Sequence, residues 1–144
     1  MSQKTIDASP VSIAVGDFNN DSRQDIVVAL EYANSIGIFI GIGNGSFQNQ
    51  ISYQMPRESS PVWVAVGDFN NDNVQDIVVT NFYGHSVGIL LGYGNGSFTH
   101  VTVFSTGNSS GPCSIAIGDF NKDNRMDIVV ANRNARNVGI FLGY

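Results

Sequence analysis

Cysteine is nearly absent. Cys113 is the single one in 144 residues, so no intrachain disulfide can form, and it reads as a small buried apolar side chain. A cysteine-based zinc site is excluded with it. The two histidines, His85 and His100, have no His or Cys near them in sequence, and both read as surface histidines. Charge is scarce too: 13% of residues are charged and 42% hydrophobic, a balance that buries a core and excludes disorder. There is no Lys/Arg run, so nucleic acid is not an expected partner. No apolar stretch approaches membrane-spanning length and no signal-like segment follows Met1, so the chain as given is expected to be soluble with no membrane partner. No nucleophile elbow, Ser/His/Asp order, isolated acid pair or phosphate-cradling loop is present, and the expectation is a protein that is not an enzyme. No window long enough for a stable helix has helical periodicity. Proline is sparse (4) and glycine abundant (16), which suits an all-β chain with many tight turns.

What the chain does have, it has three times. Asp-Phe-Asn-x-Asp-x-x-x-Asp-Ile-Val-Val starts at Asp17, Asp68 and Asp119, at a fixed spacing of 51 residues. A period near fifty marks stacked supersecondary units. Each copy opens with proline (Pro10, Pro61, Pro112) and a short Val/Ile/Ala run, strand a. The acidic loop follows, then Asp-Ile-Val-Val as strand b, then a third run such as Ser-Ile-Gly-Ile-Phe as strand c. Strand b is apolar without alternation, so both faces of each sheet must be covered. Asn44-Gly45 and Asn95-Gly96 predict two-residue hairpins, leading to fourth strands near 50–55 and 100–105.

The expected fold is therefore an all-β β-propeller of four-stranded antiparallel blades, three per chain. The blades run approximately over 10–60, 61–111 and 112–144. The third lacks its own fourth strand, and residues 1–9 are expected to supply it. Three blades cannot close a ring. A homodimer completing six blades is the expectation, and an arc cut from a longer, seven-bladed chain is the alternative.

Nine of the twelve acidic residues lie in the three loops. The net charge of −5 is thus a property of sites, and three divalent ions would turn it to about +1. Oxygen donors at alternate loop positions suit a hard cation, calcium before magnesium, at about one ion per repeat. The first loop offers side chains of Asp17, Asn19, Asp21 and Asp25, with the backbone carbonyl of Arg23. The second offers Asp68, Asn70, Asp72, Val74 and Asp76. The third offers Asp119, Asn121, Asp123, Arg125 and Asp127. Arg, Val and Arg share no side-chain property, which is why a main-chain role is assigned there. An EF-hand is excluded, because position 12 is Val28, Val79 or Val130 and no helices flank the loop. The bland alternative is a set of Asx-rich turns with no metal.

Pro-x-x-Ile-Ala-Val-Gly-Asp-Phe-Asn-x-Asp-x-x-x-Asp-Ile-Val-Val-Ala-Asn resembles the FG-GAP/VCBS repeats, the calcium-binding blades of integrin α-chain propellers and of many secreted proteins. The resemblance covers essentially the whole chain. It implies a structural calcium in each loop, ligand binding on the opposite rim, and an extracellular setting. The family often has glycine after the third ligand, where Ser22, Asn73 and Asn124 stand here.

The copies differ most in the b–c and d–a connections, expected to share the rim away from the acidic loops. Tyr32, Phe82, Tyr83, His85, Arg133 and Arg136 are the candidate ligand residues there, as exposed aromatic and arginine side chains that suit binding hot spots. Trp63, standing where Ser12 and Ser114 occur in the other copies, is a further candidate, either filling a central channel or stacking on a ligand. A glycan or a protein is the expected ligand. A structural unit with no ligand of its own is the alternative. Asn20, Asn44, Asn95 and Asn108 begin Asn-x-Ser sequons.

Overall fold

The structure, a computed structural model, describes residues 9–143. The N-terminal strand expected within residues 1–9 therefore lies almost wholly outside the described residues. Three antiparallel sheets follow the three sequence copies. The first comprises β1 (Pro10–Gly16), β2 (Asp25–Leu30), β3 (Ser35–Phe39) and β6 (Ile51–Gln54), in that order. A two-stranded ribbon, β4 (Gly41–Gly43) and β5 (Ser46–Phe47), stands off it. The second sheet holds β7 (Pro61–Gly67), β8 (Asp76–Asn81), β9 (Ser86–Leu90) and β10 (Thr102–Ser105). The third holds β11 (Pro112–Gly118), β12 (Asp127–Asn132) and β13 (Asn137–Phe141).

The local causes repeat with the sequence. β-branched residues fill every central strand. Proline takes the first position of β1, β7 and β11, where a strand tolerates a missing donor, and the register slips just after each one. The sheets pack face to face. Phe18, Val27, Ile36 and Ile38 of the first copy meet Val64, Ile77, Val79 and Leu90 of the second in one buried cluster. Val78 and Val87 meet Ile115, Ile128 and Val130 of the third in another. Every residue of β8 is buried, as its unbroken apolar run requires. A third cluster (Val28, Leu30, Phe39) lies on the face of the first sheet turned away from the second.

The hairpins differ from each other, and only one matches expectation. Asn44 and Gly45 both take positive φ (54° and 72°), the two-residue turn that joins β4 to β5. In the second copy Gly94 and Gly96 take positive φ (70° and 83°) while Asn95 does not. Asn95 Oδ1 accepts instead from the Ser97 amide at 3.0 Å and the Ser97 hydroxyl at 2.6 Å, and a single bridge joins Gly92 to Phe98. Strand c also ends earlier than its sequence run, at Phe39 and Leu90. Cys113 is half-buried, not buried, with its thiol 3.5 Å from the Ala131 carbonyl oxygen.

Candidate functional site

The acidic loops share one geometry. Asp17 accepts the amides of Asp21 (3.1 Å) and Ser22 (2.7 Å), and Asp68 those of Asp72 (3.1 Å) and Asn73 (2.8 Å). Asp119 accepts three, from Lys122, Asp123 and Asn124. The middle carboxylates, Asp21, Asp72 and Asp123, each accept the amide of position 7 and the side-chain amide of Asn19, Asn70 or Asn121. Two residues per loop turn left-handed. Ser22, Asn73 and Asn124 stand at φ 63°, 63° and 65°, where the family often has glycine, and Asn20, Asn71 and Lys122 at 57°, 59° and 65°. The second set carried no glycine signal and was not foreseen.

Asp25, Asp76 and Asp127 do something different. All three are completely buried. One oxygen accepts the amide of Phe18, Phe69 or Phe120 at 2.8 Å. The other accepts the amide of Gly41 (2.7 Å), Gly92 (2.7 Å) or Gly143 (2.8 Å). Each carboxylate thus buckles the end of strand a to the end of strand c. Glycine is required opposite it, because a Cβ at Gly41, Gly92 or Gly143 would strike the backbone carbonyl oxygen of Gln24, Gln75 or Met126. Burial pushes the Asp76 carboxyl up, helped by Asp72 and Asp68 and opposed by the Gly92 and Phe69 amides. The Gly143 and Phe120 amides hold Asp127 down. At Asp21, desolvation is outweighed by the bonds from Arg23 and Asn19 and by the Arg23 charge, and its carboxyl lies low.

The donor set fits a hard cation, and the first loop adds a pointed observation. Asn19 Oδ1 is buried with no hydrogen-bond partner among the described residues, an orphan of the kind a cation would satisfy. In the other loops the matching oxygens accept the amides of Asp72 and Asp123. Among the described residues, no three His, Cys, Asp or Glu side chains gather closely enough to hold a metal by themselves. Any ion would rest on asparagine and main-chain oxygens as well. The Arg23 side chain is not idle, as its sequence assignment had it: its guanidinium pairs with Asp21 and donates to the Gly41 carbonyl oxygen at 3.1 Å.

On the rim, the b–c and d–a connections do meet. Asn34 donates to the carbonyls of Met55 (3.1 Å) and Pro56 (2.7 Å) and accepts the Ser60 amide at 3.0 Å. His85 occupies the same place one copy on, and its Nδ1 accepts the Gly111 amide at 3.3 Å. Asn34, His85 and Arg136 share a left-handed conformation (φ 51°, 48°, 54°). His85 is therefore a half-buried loop tie and not a surface histidine. Phe82, expected exposed, is half-buried with its ring edge-on to Tyr83 at 5.1 Å. Tyr32 (83% exposed) and Tyr83 (67%) do project. They line one open cleft of about 770 Å³ with Glu31, Asn34, Arg57, Glu58 and Ser60. Glu31 is held there by the Ser60 hydroxyl at 3.0 Å. Arg57 and Glu58 were not singled out from sequence, although disagreement between copies marked their loop. Arg133 and Arg136 are exposed on the third copy, away from this cleft. Trp63, 40% exposed, lies on β7 opposite Thr80.

The family described as FG-GAP-like repeat matches residues 17–79 and 72–130. Among curated proteins none matches significantly. Two solved structures are similar in fold. One is a virginiamycin B lyase from Staphylococcus aureus, at 18% identity and TM-score 0.68 over 96% of this chain and 40% of that one. The other is a streptogramin B lyase, at 20% identity and TM-score 0.65 over 93% and 37%. The chain thus spans about two-fifths of the length of these β-propeller neighbours, and the likeness is one of fold.

Proposed function

The chain belongs to the FG-GAP-like repeat family, and from that we propose a non-enzymatic, calcium-stabilised β-propeller module that recognises a glycan or a protein at its variable rim. The observation that carries this is the Tyr32–Tyr83 cleft. Two connections of the first copy and one of the second converge there, and two tyrosine rings stand exposed beside Arg57 and Glu58. Large rigid rings bind at small entropic cost, and a charged pair beside them gives orientation. Asn34 and Ser60 hold the cleft from behind through main-chain bonds, so it is largely pre-formed.

In the acidic loops, Asp17, Asn19 and Asp21, with Asp68, Asn70, Asp72 and Asp119, Asn121, Asp123, would hold one calcium ion each. Asp25, Asp76 and Asp127 close each loop from beneath. The ion would neutralise crowded carboxylates and pin strand a to strand b. The lyase names of the structural neighbours bring no reaction to this chain. An extracellular setting, where calcium is plentiful, suits the reading.

The test is a glycan array and a panel of candidate extracellular proteins, probed with and without calcium. Binding that Tyr32→Ala or Tyr83→Ala abolishes is the expected result. Silence on both panels removes the reading.

A further inference from the structure

Every sheet has a leading and a trailing face, and the first joint in this chain shows what each needs. Phe18, Ile36, Ile38 and Ile40, on the leading face of the first sheet, are 0–5% exposed because the second sheet covers them. Two repeats later the same positions are Phe120, Val138, Ile140 and Leu142, and they are 53%, 61%, 63% and 50% exposed. The trailing faces run the other way. Val64 and Ile115 are 3% and 8% exposed inside the joints, while their counterpart on the first sheet, Ile13, is 65% exposed and its neighbour Val15 57%. One end of the molecule therefore presents the apolar surface that its other end is shaped to cover.

The polar contacts agree. In the first joint the Asp17 amide donates to Gln75 Oε1 at 2.9 Å and the Val64 amide to Ser12 Oγ at 3.2 Å. The second joint has neither acceptor, since Met126 replaces the glutamine and Trp63 the serine. The two open faces have both: Gln24 on the trailing side, exposed, and Ser114 on the leading side. The open faces thus match the first joint in polar as well as apolar positions.

We propose that the leading face of the third sheet docks on the trailing face of the first sheet in a second copy of this chain. Two identical joints then close a ring of six sheets with twofold symmetry. Six lies within the range in which propellers close, and closure stops a head-to-tail contact from running on as a filament. In each joint the Asp119 amide of one copy meets Gln24 of the other, and Ile13 seats against Val138 and Ile140. This does not depend on the calcium or rim readings.

The test is the mass of the full chain by sedimentation equilibrium, in calcium, over a micromolar concentration series. The expected result is a plateau at twice the 15.5 kDa chain mass. A single-chain mass, or a mass that climbs past two chains, overturns the proposal. Ile140→Asp and Ile13→Asp alter exposed positions at opposite ends. Each should run as a single chain with an unchanged far-ultraviolet dichroism spectrum. Mixed together they should recover a two-chain species, because one intact joint remains between them. Failure of the mixture to do so overturns the proposal, and should either variant misfold, the wild-type mass decides.

Discussion

Asp76 and Asp127 hold equivalent places and accept equivalent pairs of amides, yet their surroundings push them apart. Asp76 is buried under a neighbouring sheet and faces Asp72 and Asp68, which favours its acid form. Asp127 is governed by the Gly143 and Phe120 amides, which favour the carboxylate. The linkage signs are therefore opposite. Stability from the raised Asp76 is present at low pH and lost as pH rises through its folded value. Stability from the depressed Asp127 is present above the ordinary carboxylate range, about 3.9, and lost as pH falls through its folded value. On acidifying the metal-free protein, Asp76 should take its proton before Asp127, which carboxyl-carbon chemical shifts would follow. The reverse order would refute the account. At the same scale, Gly92→Ala should destabilise by about 1–3 kcal/mol, the range for an overpacked site, because the new methyl strikes the Gln75 carbonyl. Urea unfolding would measure it. The glycine stood in plain view in every copy of the sequence. Its partner carboxylate was read as a metal ligand, because a spacing pattern shows which oxygens are near in sequence and not which amides lie across the sheet, 16 residues on.

The acidic loop is an element with two sources of order. Its own amides already bind Asp17, Asp68 and Asp119, as in an Asx-rich turn. A cation adds to that frame by binding the folded state alone. Removing calcium with EDTA should then lower the melting temperature by several degrees, read by scanning calorimetry. No shift would sink the metal assignment. Asp21→Ala should remove one ion of three by isothermal titration, and leave Arg23 without its carboxylate partner. Strands show the same layering of causes. β8 is buried along its whole length, whereas β10 is an edge strand exposed at every residue. Amide hydrogen exchange should be slowest in β8 and fastest, among the strands, in β10. Comparable rates would mean the sheets do not pack as described. Strand b was legible as doubly covered from its unbroken Ile-Val-Val run. The unlike hairpins at Asn44-Gly45 and Asn95-Gly96 were not, since an identical Gly-Asn-Gly-Ser-Phe sequence takes two turns when its neighbours differ.

At the scale of the molecule, sheets stack because each has an apolar face that a single sheet cannot bury. The repeat period, the β-strand composition, the proline starts and the acidic loops were all set by the sequence alone. They depend on contacts between residues near in the chain or on a pattern repeated identically, and such information survives without coordinates. Three matters were decided only by tertiary structure. The first is that Asp25, Asp76 and Asp127 are fully buried buckles, which depends on amides from another strand. The second is that His85 ties loops while Tyr32 and Tyr83 share a cleft, which depends on how two connections meet across a sheet boundary. The third is which apolar faces are left uncovered. Ile38 and Ile140 occupy equivalent positions in near-identical runs, and no reading of the chain separates them. One is buried and the other exposed because burial belongs to the neighbour, and a neighbour exists only once the sheets are stacked.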